Sequence, residues 1–299
     1  MANDAETVLQ VGLAAAVADG QRNEPELARL SELARSMGLD ATALGRLSAQ
    51  LPVDLAARLS SDQAKRAAYE LAVAVCNADG AANDAEATFL AGLRSTLGLP
   101  ESAVAELHRD ADSLATAVTA GSSRTPATGV DDLILKQAKL TAALELLPQS
   151  LATMAIIPLQ MRMVYEIGQS HGQTLDAAQV KDLLGTMGIG MAAQVVDGFA
   201  RKIVGGIATG VLGRILGGLA GGAAGAATGA ATAFATTYAL GQAAKQYYSQ
   251  GRTLSTADLQ ALFARLKDEA SGLYPQVRGQ VEAQAKGLDV RQVLASLGR

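Results

Sequence analysis

With 299 residues the chain is long enough for two domains, each burying its own core. Apolar residues make up 49% of it, but aromatics only 3%, and 31 glycines stand among long alanine tracts, a composition of good helix formers and close-packing small residues that predicts an all-α fold. A net charge of -4 and a pI near 5.3 give no general attraction to nucleic acid, and with Cys76 as the single cysteine neither an intrachain disulfide nor a cysteine metal cluster is possible.

The N-terminus, Met1 to Glu6, carries Asp4 and Glu6 and lacks the positive flank and apolar run of a signal peptide, so the chain is expected on the cytoplasmic side. A duplication follows. Ala14 to Leu39 lies over Ala74 to Leu99 at a constant offset of 60 without a gap. Asp19 meets Asp79, Gly20 meets Gly80, Asn23 meets Asn83, Glu24 meets Asp84 and Glu26 meets Glu86. Leu30, Leu33, Gly38 and Leu39 meet Leu90, Leu93, Gly98 and Leu99.

In each copy an alanine-rich helix runs up to the Asp-Gly pair, where glycine lets the chain reverse. Asn23 or Asn83 then caps the next helix, with Glu26 or Glu86 at the third helical position as in a capping box and Pro25 suited to the first turn. Leucines at helical spacing follow, and Gly38 and Gly98 end these helices. Helices around 41–58 and 61–77 complete a bundle of short antiparallel helices. Cys76, in the apolar run from Leu71, reads as a small buried hydrophobe.

Two uses are open to the acidic residues beside these turns. Capping and solvent-facing charge account for Asn23, Glu26, Asn83 and Glu86. Alternatively, a pseudo-twofold arrangement brings Asp19, Glu24 and Glu26 together with Asp79, Asp84 and Glu86, and their oxygens surround a divalent cation of undetermined identity. The loops do not follow the twelve-residue calcium-loop pattern. The doubled ADG-x-x-[ND]-x-x-E pattern, followed by leucines and Gly-Leu, resembles the TerB family of tellurite-resistance-associated proteins over about residues 7–118. That resemblance implies an all-helical bundle with metal-linked acidic residues, carried here by Asp19, Glu26, Asp79 and Glu86, with Glu24 and Asp84 in support. Gln21 and Ala81 stand where such proteins often carry charge.

Residues 119–129, small, polar and broken by Pro126 and Gly129, read as a linker between a front domain of residues 1–118 and a second of residues 130–254, with 255–299 as a helical extension. A helix is predicted from Asp131, capped by that side chain, to Leu147, where Pro148 interrupts. Leu151 to Tyr165 holds Pro158 in an apolar run and Arg162 after it, predicting a kinked or broken helix across a bundle or at a membrane surface. Ala177 to Met187 is amphipathic.

From Ile203 to Ala244 the only charge is Arg214, and the 30 uncharged residues Ile215 to Ala244 would make roughly 45 Å of helix, enough to cross a hydrocarbon core. Gly213, Gly217, Gly221, Gly225 and Gly229 recur every fourth residue, a stripe that lets another helix approach its backbone. In water that stripe implies a compensating interface within a soluble helical hairpin or between copies of the chain, so membrane and soluble readings both stand. Ser255 to Arg299 opens on the cap-like Ser-Thr-Ala-Asp and reads as one or two charged helices.

The succession around Pro158, Met161, Met163, Tyr165, Ile167, Gly168 and Gly172, then a glycine-rich hairpin, then Thr237, Tyr238, Gly241 and Tyr248, resembles the YcjF-related domain over about residues 130–254. It implies membrane association and a possible separate GTPase as partner, since no GTPase motif occurs in this chain. His108 reads as a surface residue and His171 as a turn residue, and no motif assembles a catalytic centre. The sequence therefore predicts a non-enzymatic adaptor at the cytoplasmic side of the inner membrane, cation-responsive through its front domain. The alternatives are a soluble self-assembling structural or stress-response protein, with homo-oligomers built on the glycine face, and a pore-forming or membrane-remodelling effector.

Overall fold

The computed structural model of the chain describes residues 2–18, 54–78, 82–105, 107–109, 111, 129–147, 155–189, 195, 222–289 and 292–293. The fold is all-α, as the composition predicts, and among the described residues there is no strand. The helices fall into two compact units, the first comprising residues 1–115, 148–154 and 190–225 and the second residues 116–147, 155–189 and 226–299.

The first unit is built from α1 (Ala2–Ala15), α2 (Leu55–Arg58), α3 (Asp62–Cys76) and α4 (Asp84–Leu97). α1 packs along α3, α3 packs against α4, and the single turn of α2 sits on α1 and α4 through the buried Leu55. The offset of 60 seen at the turns extends back through the preceding helices. Val8, Leu9, Val11, Leu13 and Ala14 of α1 are buried, and so are Ala68, Tyr69, Leu71, Val73 and Ala74 of α3. The chain also leaves both helices alike, with Ala18 N–H donating to Ala15 O and Ala78 N–H to Val75 O, each at 3.1 Å. Cys76 is fully buried in this core, as its apolar run predicts.

α1 and α3 run in the same direction. Asp4, in the first turn of α1 and only 2% exposed, accepts hydrogen bonds from the backbone N–H of Ser60, at 3.0 Å, and from the Ser60 hydroxyl, immediately before Ser61 caps α3. Further along α1, Gly12 comes so close to Leu71 that an added Cβ would stand 2.6 Å from Leu71 Cδ2. The start of one helix thus meets the start of the other, and a later position meets a later one. Their C-termini, at Ala15 and Cys76, consequently share one end of the pair.

The second unit holds α5 (Val130–Glu145), α6 (Ile156–Ser170), α7 (Ala177–Thr186), α8 (Gly222–Ser249, within this unit from Ala226) and α9 (Thr256–Lys286). The expectation that Asp131 caps α5 is corrected: the N-cap is Gly129, without a side-chain cap bond, and Asp131 bonds instead to Lys245 Nζ at 2.7 and 2.8 Å and to Gln242 Nε2 at 3.0 Å on α8. A cationic partner across the bundle competes better for the carboxylate than the neutral N–H groups of its own helix. Pro158 falls in the first turn of α6, where no intrahelical N–H donor is required, so it begins that helix rather than kinking it. After α8, α9 is one long helix, Thr256–Lys286, capped by Ser255, with Pro275 inside it.

α5 and α8 are antiparallel: Asp131 meets Lys245, Ile134 meets Gly241 and Thr141 meets Thr237. A Cβ on Gly241 would stand 2.7 Å from Ile134 Cγ1, so this glycine is required by close approach. Beside that contact, Ala138, Ala142 and Ala143 of α5, Ala230 and Phe234 of α8, and Tyr274 and Val281 of α9 form one core cluster. Small residues on α5 and α8 admit the rings of Phe234 and Tyr274, whose centroids are 5.7 Å apart.

Candidate functional site

The acidic turn of the first unit is built by a capping box. Asn83 Oδ1 accepts from Ala85 N–H at 2.9 Å and Glu86 N–H at 3.1 Å, while Glu86 Oε2 accepts from Asn83 N–H at 2.8 Å. Asp84 is exposed in the same first turn, favourably placed for the helix dipole. α4 ends at Gly98 in a left-handed conformation, with φ 66°, as its spacing predicts. Of the six proposed cation ligands, only Asp84 and Glu86 are described, and one oxygen of Glu86 is committed to the cap. Asp19, Glu24, Glu26 and Asp79 lie outside the described residues. Among the described residues no group of three or more histidine, cysteine, aspartate or glutamate side chains converges as metal ligands would.

Folding assembles a cluster that sequence reasoning missed. Tyr69 of α3, 1% exposed, is hydrogen-bonded through its hydroxyl to His108 Nε2 at 2.8 Å. His108 Nδ1 lies 3.8 Å from Glu101 Oε1, and Glu101 Oε2 pairs with Arg94 of α4 at 2.9 Å. Burial pushes the Tyr69 phenol up to about 12, with Arg94 opposing and Glu101 adding to the shift. Such a phenol keeps its proton at neutral pH, so the cluster ties α3 and α4 to the segment after Pro100 instead of supplying an acid. His108 is partly exposed, as expected, but its partner lies 39 positions away in sequence, and no local signal links them.

Gly213, Gly217 and Gly221 of the proposed helix interface lie outside the described residues. Gly225 lies in α8, and Gly229, also in α8, is buried. From Ala230 to Ala244, α8 turns Phe234, Thr237, Leu240 and Gly241 among its buried residues into the protein. A polar strand of side chains runs through this interior. Thr141 Oγ1 is 2.9 Å from Thr237 Oγ1, to which Gln160 Nε2 also donates at 3.0 Å. Gln137, Thr141 and Glu145 follow one another along the buried face of α5, and the Oε1 atoms of Gln137 and Gln160 have no hydrogen-bond partner among the described residues. Arg162 of α6 is paired with Glu166 at 2.9 Å and is mostly buried. Among the described residues no helix is long and apolar enough to cross a membrane.

The first unit is thus a helical bundle built on the parallel pair α1 and α3. The family model described as "Protein of unknown function (DUF533)" matches residues 1–111, and that family is TerB-like. No curated protein and no solved structure matches the chain.

Proposed function

We propose that the chain is a non-enzymatic adaptor whose front unit responds to a divalent cation and whose uncharged segment before and within α8 associates it with the cytoplasmic face of the inner membrane. The observation that carries the cation reading is the parallel run of α1 and α3, with their ends at Ala15 and Cys76 on one side. In the sequence Asp19 and Asp79 stand a few residues beyond those ends. Oxygen donors from two turns can then complete the six to eight ligands that a calcium-type ion takes, with Glu24, Glu26, Asp84 and Glu86 as further donors. Calorimetry of the full chain with calcium, magnesium, manganese and zinc tests this. One of these ions is expected to bind, and binding is expected to vanish in the Asp19→Ala, Asp79→Ala double variant; binding that survives the double substitution would remove the site.

The membrane arm draws on the 30 uncharged residues from Ile215 and on the likeness of residues 130–254 to the YcjF-related domain, which also suggests a separate GTPase as partner. Cell fractionation tests it, with the full-length chain expected in the membrane fraction after a salt wash. A second reading has its own observation: the stretch from Gly229 to Ala244 is largely buried inside the second unit, so its small residues already have a protein partner. In that reading the chain is a soluble, self-assembling helical protein, and monodisperse oligomers without detergent are the expected result.

A further inference from the structure

The second unit holds a cleft of about 190 Å³ that neither reading uses. One face of α7 lines it: Gln179, Asp182, Leu183 and Thr186 recur at i, i+3, i+4 and i+7. The facing wall is the end of α8, the turn after it and the start of α9. Gln260 Nε2 of α9 donates to Thr186 O at 3.0 Å and pins the two walls together.

Buried apolar side chains and exposed charged ones both line the cleft. Leu183, Tyr248 and Leu259 are buried beneath it. Gln179 Oε1 already accepts from Asp176 N–H, which leaves its amide N–H groups to offer. The Asp182 carboxylate is exposed and has no side-chain partner among the described residues. Opposite stands Arg252.

Arg252 has the only positive φ of any non-glycine among the described residues, at 66°. The C-terminal cap of α8 does not require it. That cap is made by Gly251 N–H to Tyr248 O at 3.1 Å and Arg252 N–H to Tyr247 O at 2.9 Å, and it needs a left-handed residue only at Gly251, with φ 67°. A side chain kept in a conformation that glycine adopts more cheaply points to a use for that side chain.

We propose that this cleft binds a free apolar amino acid, its carboxylate on Arg252 and the Gln179 amide, its ammonium on Asp182, and its side chain over Leu183, Tyr248 and Leu259. The Arg252 guanidinium and the Gln179 amide suit a carboxylate; Asp182, the one acidic side chain among the lining residues and one turn along α7 from Gln179, suits a cation on the same molecule. The volume is below the range for drug-sized ligands and admits only a small one.

The test is calorimetry of the full chain with leucine as the probe, beside N-acetyl-leucine, which lacks the ammonium, and leucinamide, which lacks the carboxylate. Leucine is expected to bind, with each analogue weaker by about tenfold or more, the loss of one charge-assisted contact. Arg252→Ala and Asp182→Asn are each expected to weaken leucine by about the same factor. Arg252→Gly separates the site from the fold: Tm should hold or rise as backbone strain is relieved, while leucine binding falls as in Arg252→Ala. No leucine binding at about 10 mM, where even a millimolar site is filled, would overturn the proposal. Equal binding of all three compounds, or binding indifferent to both Arg252→Ala and Asp182→Asn, would overturn it as well.

Discussion

Asn83 shows how far single residues are readable from the chain alone. A cap is a local device: the side chain that accepts and the N–H groups that donate lie within three positions, so Asn83, Glu86 and Gly98 are legible without knowledge of the fold. Asn83→Ala is expected to lower the stability of the first unit by about 1 kcal/mol, read from urea midpoints, while Asn83→Asp should lose little. Asp131 marks the limit of that logic. It has the sequence position of a cap, but Lys245, 114 positions away, takes it and holds its carboxyl below the ordinary carboxylate range. Tyr69 and His108 were illegible for the same reason, since only packing brings them together. Their pairing has a pH consequence. The free phenol titrates near its ordinary 10.0 and the folded one at about 12, so over that window the unfolded chain has lost a proton that the folded chain keeps. Stability should fall as pH rises through it, by up to about 1.4 kcal/mol per pH unit for this one group. Tyr69→Phe is expected to flatten the alkaline limb of a stability–pH curve; an unchanged slope would show that Tyr69 titrates normally.

Helices α5 and α7 are individually readable, and the mutual arrangement of the second unit's helices is not. Pro158 illustrates the difference, because a proline in an apolar run signals either a break or a beginning, and the side chains of the preceding turn decide between them only in three dimensions. The buried polar strand was equally hidden: Gln137, Thr141 and Glu145 stand at i, i+4 and i+8, the spacing of a solvent-facing stripe, yet they face the interior. In such an interior an unpaired amide oxygen costs about 1–3 kcal/mol, against about 1 kcal/mol returned by one hydrogen bond. Gln160 has one bond to Thr237 and one orphaned oxygen, at 1% exposure, and Thr141 remains as a partner for Thr237 if Gln160 is removed. Gln160→Met, which keeps the volume, is therefore expected to stabilise the second unit by about 1 kcal/mol in thermal or urea unfolding. A loss of similar size would mean that a water or other donor sits on that oxygen in solution.

At the level of the whole chain, the offset of 60 was the most informative feature, because duplication constrains topology as well as local structure. Turns repeated at a fixed spacing imply that the helices before them repeat too, and the matched burial of Leu13 with Val73 and Leu9 with Tyr69 follows from that relation. The front unit was legible in outline for this reason, whereas the second unit, without a repeat, disclosed its helices but not their partners. The two units have separate cores, one around Leu93, Tyr69 and Leu13, the other around Phe234, Ala142 and Val281. Separate cores make separate cooperative transitions possible, and paired core truncations can tell whether they occur. Leu93→Ala and Phe234→Ala each empty a fully buried position and should each cost about 2–5 kcal/mol. For units of roughly 150 residues that is a fall of about 4–20 °C in the affected transition, at about 2–4 °C per kcal/mol. Differential scanning calorimetry of the full chain is expected to show Leu93→Ala lowering one endotherm and Phe234→Ala the other. If each substitution moved the whole heat-absorption profile together, the units would be folding as one, and the front unit and the α8 core would have to be treated as a single coupled system.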